Sequence, residues 1–347
     1  MILVITNTPE NHPLSQRQRI LFDSLPAKFI YRTGRIQNGL SILKEALKTK
    51  PKIVYASDTG YITSFGIILG KIAGSRCILE TGDILYNLFK NKGRNLESYI
   101  CYFAEPTFWK IPDDIVVRGI LFKKYLEDRG YKNVHFIPDG VDTTVFKPMK
   151  KTKNKDTITL GSIGTSNWSE KYNFCYGWEV VEVIRILKEK NISCFKALLI
   201  LSGNGVDILK ERTKKYGIDK DVYFSSVDFG ELPKYINLMD ICFWTQTNDM
   251  VGAIRTTGKL PLYMACAKYI IATDVGTAQI FLPDPMRIRY DGVKDDRYPE
   301  RVVQKLEEIL KNREILNEGR KLRDLAKKHF DYKVLRKKIK EIVDKYI

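Results

Sequence analysis

Short apolar, β-branched runs alternate with longer stretches of helical period along this chain. The first half offers strands at "ILVIT" (2–6), "KFIYR" (28–32), "KIVYAS" (52–57), "CILE" (77–80), "DIVVR" (114–118) and "VHFIP" (134–138). Helical spacing falls between them, as in "SILKEALKT" (41–49) and "LFKKYLEDRG" (121–130), the latter stopped by glycine. Near-continuous apolar strands separated by helices are the pattern of βαβ units and a parallel sheet buried on both faces.

The pattern breaks at "FKPMKKTKNKDT" (146–157), a lysine-rich stretch without apolar period that reads as an exposed linker. It then restarts, with strands expected at 158–164, 196–203, 222–226, 240–246 and 269–274 and helices near 175–190 and 206–216. Three helices are expected at the end, near 298–311, 313–329 and 332–346. The fold class is therefore α/β, with two Rossmann-like domains in tandem. The expected domains are 1–147, 148–330, and a closing helix at 331–347 that crosses back to the first domain. Ligands of open α/β sheets bind beyond the carboxyl ends of the strands, so the loops after strands carry the search, in an expected cleft between the two sheets.

Composition narrows the classes. The 347 residues have an ordinary globular balance, 44% hydrophobic and 29% charged. No apolar run reaches the roughly 18 residues of a membrane-spanning helix, and "MILVITNTPENHP" reads as a first strand rather than a signal peptide, so a cytoplasmic protein is expected. The six cysteines form no CxxC pair and several lie in apolar runs, which reads as buried free thiols. With only His12, His135 and His329, a histidine-rich metal site is excluded, and no metal is expected. The net charge of +17 suits an anionic partner: nucleotide phosphates, anionic lipid or nucleic acid, though a solvated basic face accounts for it equally well. Nucleic acid is disfavoured because no interleaved basic and aromatic motif is present.

Several loops hold candidate chemistry. After the first strand, "NTPENHPLSQRQR" (7–19) offers His12, Arg17 and Arg19; after the fourth, "ETGD" (80–83) offers Glu80 and Asp83, carboxylates able to orient hydroxyls or transfer protons, or simply to turn the chain. "GSIGTSNWSEKYNFCYGWE" (161–179) brings Gly164 and Lys171 near a helix start without being a Walker motif or a GxGxxG. In "LSGNGVD" (201–207), Gly203 and Asn204 either admit a ligand or turn the chain. "RTTGKLPLYMACAKYIIATDVG" (255–276) places Arg255, Thr256, Thr257, Gly258 and Lys259 at the start of a helix, where an anion or an ordinary threonine cap would fit equally well.

Taken together the stretches resemble the retaining glycosyltransferases of family 4, which have the GT-B fold. "VHFIPDGVDTTVFKP" (134–148) and "KLPLYMACAKYIIATDVG" (259–276) carry most of the resemblance; "LLILSGNG" (198–205), "VYFSSVDFGELPKYINLMDICFWTQ" (222–246) and "HFDYKVLRKKIKEIV" (329–343) agree in order and spacing. The resemblance implies a UDP-, GDP- or ADP-sugar donor, an unknown hydroxyl acceptor, retention of anomeric configuration, and no cofactor or metal. It assigns the donor diphosphate to Thr256, Thr257, Gly258, Lys259, Lys171 and Gly164, with Tyr176-Gly177 competing with Lys171 for the family's lysine-glycine pair. The donor nucleoside falls to Gly203, Asn204, Val227 and Leu262, the acceptor to Arg17, His12, Glu80 and Asp83, and catalysis to Asp83, Lys259 and Arg255.

The departures are as informative. The family's Glu-x7-Glu pair is replaced by Ile254 and Leu262, and Asn248 and Asp249 stand just upstream as substitute polar groups. Two readings stay open: a divergent transferase acting on a lipid-linked or polysaccharide acceptor at the inner, anionic membrane face, and a GT-B module that binds without catalysing.

Overall fold

The structure is a computed structural model describing residues 1–150 and 156–347. The centre of the lysine-rich linker, 151–155, lies outside the described residues. The chain divides into two compact units: residues 1–140, 254–256 and 330–347 form the first, and 141–253 with 257–329 the second.

The first unit opens with β1 (Ile2–Thr6), α1 (Pro13–Leu21), β2 (Ala27–Ile30), α2 (Arg35–Thr49), β3 (Ile53–Ser57) and α3 (Tyr61–Ile72). It continues with β4 (Arg76–Thr81), α4 (Leu85–Asn91), α5 (Asn95–Phe108), β5 (Asp114–Val117), α6 (Ile120–Glu127) and β6 (Val134–Phe136). All neighbouring strands are parallel, in the order β2-β1-β3-β4-β5-β6. Side chains alternate across a pleated strand, so two cores form. Leu3, Ile5, Val54, Leu79 and Val117 face α2, α3 and α6 through Ile42, Ile67 and Phe122. Ile2, Val4, Tyr55, Ile78 and Val116 face the other way, onto Leu21 and Phe22 and onto Leu335, Ile339, Ile342 and Val343 near the end of the chain.

The second unit holds β7 (Ile158–Thr165), α7 (Trp178–Glu189), β8 (Phe195–Ser202), α8 (Gly205–Lys215), β9 (Val222–Ser225), α9 (Leu232–Leu238), β10 (Ile241–Trp244) and α10 (Met250–Ile254). There follow α11 (Lys259–Ala265), β11 (Tyr269–Thr273), α12 (Ala278–Phe281), β12 (Arg287–Ile288), α13 (Tyr298–Lys311) and α14 (Gly319–His329); α15 (Tyr332–Asp344) returns to the first unit. This sheet is again parallel, in the order β12-β11-β10-β7-β8-β9.

The expected strands are all present. One expectation changes, and one strand is added. The stretch 313–329 is not one helix: Arg313–Glu318 is a 3-10 turn, and α14 begins at Gly319. A Cβ at Gly319 would stand 2.5 Å from the carbonyl carbon of Lys268, so a side chain there would strike the backbone leading into β11. The short β12 had no apolar run to announce it and exists through pairing of Ala272 with Arg287. Among the described residues no helix is long and apolar enough to cross a membrane. The six cysteines are free, and Cys77, Cys175, Cys242 and Cys266 are buried.

Candidate functional site

Strand order marks where to look in the second unit. From β7 the chain runs outward to β8 and β9, whereas β10 lies on the other side of β7. The sense of the connections therefore reverses between β7 and β10, and ligands of open α/β sheets sit beyond the strands at such a point. Gly164 stands near the carboxyl end of β7 with φ of +113°, a conformation that side chains rarely adopt. A Cβ there would lie 2.7 Å from Cε of Lys259, so the bare glycine lets the lysine stem cross the strand end. Thr257 is fixed nearby, its Oγ1 accepting a hydrogen bond from Trp244 Nε1 at the end of β10 (2.8 Å).

Lys259 is half-buried, and its ammonium lies over the ring of Tyr176, 5.3 Å from the centroid. Among the described residues the ammonium makes neither an ion pair nor a hydrogen bond. Burial lowers its pKa from the ordinary lysine value, and the charge of Glu179 only partly opposes that. Glu179, on the first turn of α7, is fully buried. It accepts from Gly177 N–H (2.9 Å) and from Thr245 Oγ1 (2.8 Å), and burial raises its pKa despite these bonds and Lys259. Nothing in the sequence distinguished Glu179, because an acid in the first turn of a helix ordinarily answers the helix dipole.

Other expected donor residues fall differently. Lys171 is exposed and stacks on Tyr172 at 5.0 Å, whereas Tyr176-Gly177 leads into α7 beside Lys259. Asn204 Oδ1 accepts from Trp168 N–H (2.9 Å), and a Cβ at Gly203 would meet Ser166 O at 2.7 Å, so both tie the loop after β7 to the end of β8. Val227 is half-buried beyond β9. Helix α11 spans only seven residues, and its N-cap, Gly258, has no side-chain cap, so the threonine cap allowed by the sequence is absent.

The replaced carboxylate positions are both apolar interior. Ile254 packs in the first unit's core, and Leu262 is buried on α11. The upstream polar residues are occupied with chain geometry: Asp249 Oδ1 accepts from Thr247 Oγ1 (2.6 Å) and Gly252 N–H (2.9 Å), and Asn248 Nδ2 donates to Tyr290 O (2.8 Å). These bonds shape the loop that leads into α10. Thr256 and Arg255 group with the first unit, Thr257, Gly258 and Lys259 with the second.

In the first unit Arg255 Nε donates to Asp83 Oδ1 at 2.5 Å. Burial would raise the Asp83 pKa, but Arg255 holds it below the ordinary value, so the carboxylate is ionised. The guanidinium of Arg255, expected to serve catalysis, is thus engaged by Asp83, another residue of the expected catalytic set. Arg17 and Glu80 are likewise not open to an acceptor. Both are fully buried, joined at 2.7 Å, and Glu80 also accepts from Gln18 Nε2 (3.0 Å) and from the hydroxyl of Tyr55. Arg17 also donates to the carbonyls of Ile137 (2.8 Å) and Pro138 (3.0 Å), bracing α1 against the chain after β6. His12 caps α1, with Nδ1 accepting from Leu14 N–H at 3.2 Å. Burial lowers its pKa, so it is neutral near pH 7.

The first sheet reverses its connections between β1 and β3, and two residues that the sequence reading passed over lie beyond the strand ends there and at β5. Asp58 has a φ of +70°, unusual outside glycine, and Arg118 Nη2 stands 3.4 Å from its Oδ1. Burial raises the Asp58 pKa, with Arg118 opposing. Among the described residues no group of three or more His, Cys, Asp and Glu side chains is gathered as a metal ion would need.

No protein-family model matches the chain, and no curated protein does. Solved structures do match. HepE from Anabaena, in complex with UDP and glucose, has a TM-score of 0.73 at 12% identity, covering 99% of this chain and 100% of its own. Sucrose-phosphate synthase from Thermosynechococcus elongatus gives 0.77 at 11%, covering 99% and 98%. The lipopolysaccharide outer core galactosyltransferase WaaB gives 0.67 at 10%, covering all of both chains. Two parallel six-stranded sheets with interleaved helices, matched end to end by these structures, give this chain the GT-B fold.

Proposed function

We propose that this protein is a metal-independent glycosyltransferase that moves a sugar from a nucleoside diphosphate sugar to a hydroxyl acceptor with retention of configuration, in the manner of family 4. The donor belongs to the second unit and the acceptor to the first. One observation carries the reading: Lys259 holds a half-buried ammonium, without ion pair or hydrogen bond among the described residues, at the switch point of a Rossmann-like sheet. A desolvated cation there lacks the anion that would offset its burial, and a diphosphate supplies one. The UDP held by the HepE structure makes UDP-sugars the first donors to try, ahead of GDP- and ADP-sugars.

In this mechanism the bond between the anomeric carbon and the diphosphate oxygen breaks, and its electron pair stays on the diphosphate. Lys259 offsets the charge as it develops, a stabilisation that is preorganised because Gly164 and the Tyr176 ring fix the stem and head. The acceptor hydroxyl bonds to the anomeric carbon on the face the diphosphate leaves, and its proton passes to the departing phosphate. Asp58 and Asp83, beyond the ends of β3 and β4, are the carboxylates we assign to the acceptor hydroxyl. The reaction takes place in the cytoplasm, at an anionic membrane face.

Calorimetric titration of UDP-glucose, GDP-mannose and ADP-glucose tests this reading, with release of the nucleoside diphosphate followed in parallel. Binding that Lys259→Ala weakens at least about tenfold, with diphosphate release falling by orders of magnitude, is expected. Absence of binding by all donors would refute it. The buried apolar residues at 254 and 262 favour a second reading, a donor-binding module without turnover; tight binding with no diphosphate release would establish that one instead.

A further inference from the structure

Three helices of the first unit carry apolar stripes that face outward. On α2 the stripe is Ile36, Leu40, Leu43 and Leu47; Ile36 is 80% exposed, although Ile42 on the opposite side is buried in the core. On α3 it is Tyr61, Phe65, Ile68 and Ile72, with the same spacing of four, three and four. On α5 it is Leu96, Tyr99, Ile100 and Phe103. Helical positions spaced in this way share one face, so each stripe is a continuous ridge pointing away from the sheet. The helices adjoin. Gly39 of α2 lies against the ring of Phe65, Arg35 stacks on Tyr61 at 4.6 Å, and Tyr86 of α4 meets Tyr102 of α5 at 5.1 Å. Isolated exposed leucines need no explanation, but a whole outward ridge on each of three helices of one unit does.

The charges say what covers this face. Helices α2 to α5 carry three carboxylates, and all are engaged. Glu45 pairs with Lys28 (2.6 Å), Glu97 pairs with Arg94 (2.6 Å), and Glu105 is buried, accepting from the N–H groups of Leu85 and Tyr86. The cations Lys44, Lys48 and Lys92 are exposed, and no ion pair holds them among the described residues. Apolar ridges bordered by lysine and rich in tyrosine and phenylalanine suit a bilayer interface with anionic headgroups. A second copy is a poor occupant, because its matching face would bring no unengaged helix carboxylate to meet these lysines.

We propose that the face formed by α2, α3 and α5 is the surface on which this protein lies against an anionic membrane. The proposal deepens the reading that the enzyme works at a membrane face, and it gives a physical role to part of the +17 charge. The ridges enter the headgroup boundary, the lysines meet the lipid phosphates, and no helix crosses.

The test is co-sedimentation of the full chain with vesicles of mixed phosphatidylglycerol and phosphatidylcholine, and with phosphatidylcholine alone. The wild type should pellet with the mixed vesicles and much less with the neutral ones. The combined variant Leu40→Gln, Ile68→Gln, Ile100→Gln, altered only at exposed positions, should partition at least about tenfold more weakly with an unchanged melting curve. The variant Lys44→Glu, Lys48→Glu, Lys92→Glu should lose the preference for anionic vesicles. A wild type that stays in the supernatant, or a glutamine variant that binds equally, overturns the proposal. So does a lipid-free dimer, seen by analytical ultracentrifugation, that the glutamine variant dissolves. The melting shift caused by UDP-glucose is measured on the same samples; its persistence in a variant that leaves the vesicles separates this surface from the donor site.

Discussion

Lys259 crosses the strand end at Gly164 so closely that Cε stands 2.7 Å from where a Cβ on residue 164 would be. The glycine therefore meets two demands, a φ of +113° and an empty side-chain position. Gly164→Ala should cost about 1–3 kcal/mol in backbone strain and push the ammonium from its seat, weakening UDP-sugar binding at least about tenfold. Gly217→Ala is the control, because Gly217 also has positive φ (+63°) but open space around it. It should lose stability without losing donor affinity. Urea melts and calorimetric titration of both variants make the comparison. Equal donor affinity in Gly164→Ala would show that the lysine is not held where the chemistry needs it.

The lowered pKa of Lys259 gives the donor site a pH signature. Only the ammonium attracts a diphosphate, so affinity should fall as pH rises through the lowered value, earlier than for an ordinary lysine near 10.4. Stability of the ligand-free protein should run the other way. Between the lowered value and the ordinary one the unfolded chain binds more protons than the folded chain, so this residue makes stability rise with pH across that window. A bound diphosphate pushes the pKa back up, so donor binding there should take up protons. Titrations in buffers of different ionisation enthalpy measure that uptake directly. A flat affinity profile up to pH 10 would separate Lys259 from the phosphates.

The strands were legible because parallel strands buried on both faces must be apolar along their whole length, as Ile2–Thr6 and Tyr269–Thr273 are. The strand ends then pointed to the loops where the candidate side chains lie. What could not be read was the division of labour among adjacent residues. Thr256 and Thr257 are neighbours in sequence, yet they group with different units. The sequence offers Arg17 and Glu80 to an acceptor, because nothing local shows that side chains 63 positions apart meet in the interior. Glu179 stands where any first-turn acid would, and only the bond from Thr245, 66 positions away, sets it apart. The last two are long-range pairings, which periodicity does not carry.

The Arg17–Glu80 brace should be a stability element with an inverted pH response when broken. In the wild type, burial would raise the Glu80 pKa, but Arg17, Arg118 and Tyr55 hold it below the ordinary value. Its contribution is therefore present above the unfolded value near 4.3 and lost as pH falls through the lower folded one. Arg17→Met leaves a buried carboxylate without its main partner and should cost about 3–5 kcal/mol at pH 7. In that variant burial wins and the Glu80 pKa rises above its unfolded value. Acidification should then make the variant's deficit relative to the wild type smaller. Adding Glu80→Gln should recover much of the loss. Urea denaturation at pH 7 and pH 5 decides it; a deficit independent of pH would exclude the ion-pair account.

Leu262 poses the sharpest contest, because a glutamate restored there would match the family's pattern and could in principle improve donor binding. The structure buries Leu262 to 6% exposure on α11, whose residues Leu260 to Ala265 are all buried. A glutamate at 262 would stand three positions after Lys259, an arrangement worth about 0.2–0.5 kcal/mol on a helix. Against that stands the lost burial of a leucine, about 1.5–3 kcal/mol, and the cost of desolvating a carboxylate. Destabilisation wins, so Leu262→Glu should lower the melting temperature by several degrees. Any pairing it made with Lys259 would neutralise the very charge the diphosphate needs, so donor affinity should fall as well. Leu262→Met, which keeps volume and polarity, should leave both unchanged. A Leu262→Glu protein that melts like the wild type and binds UDP-glucose more tightly would show that position 262 faces the donor and that the interior reading of α11 is wrong.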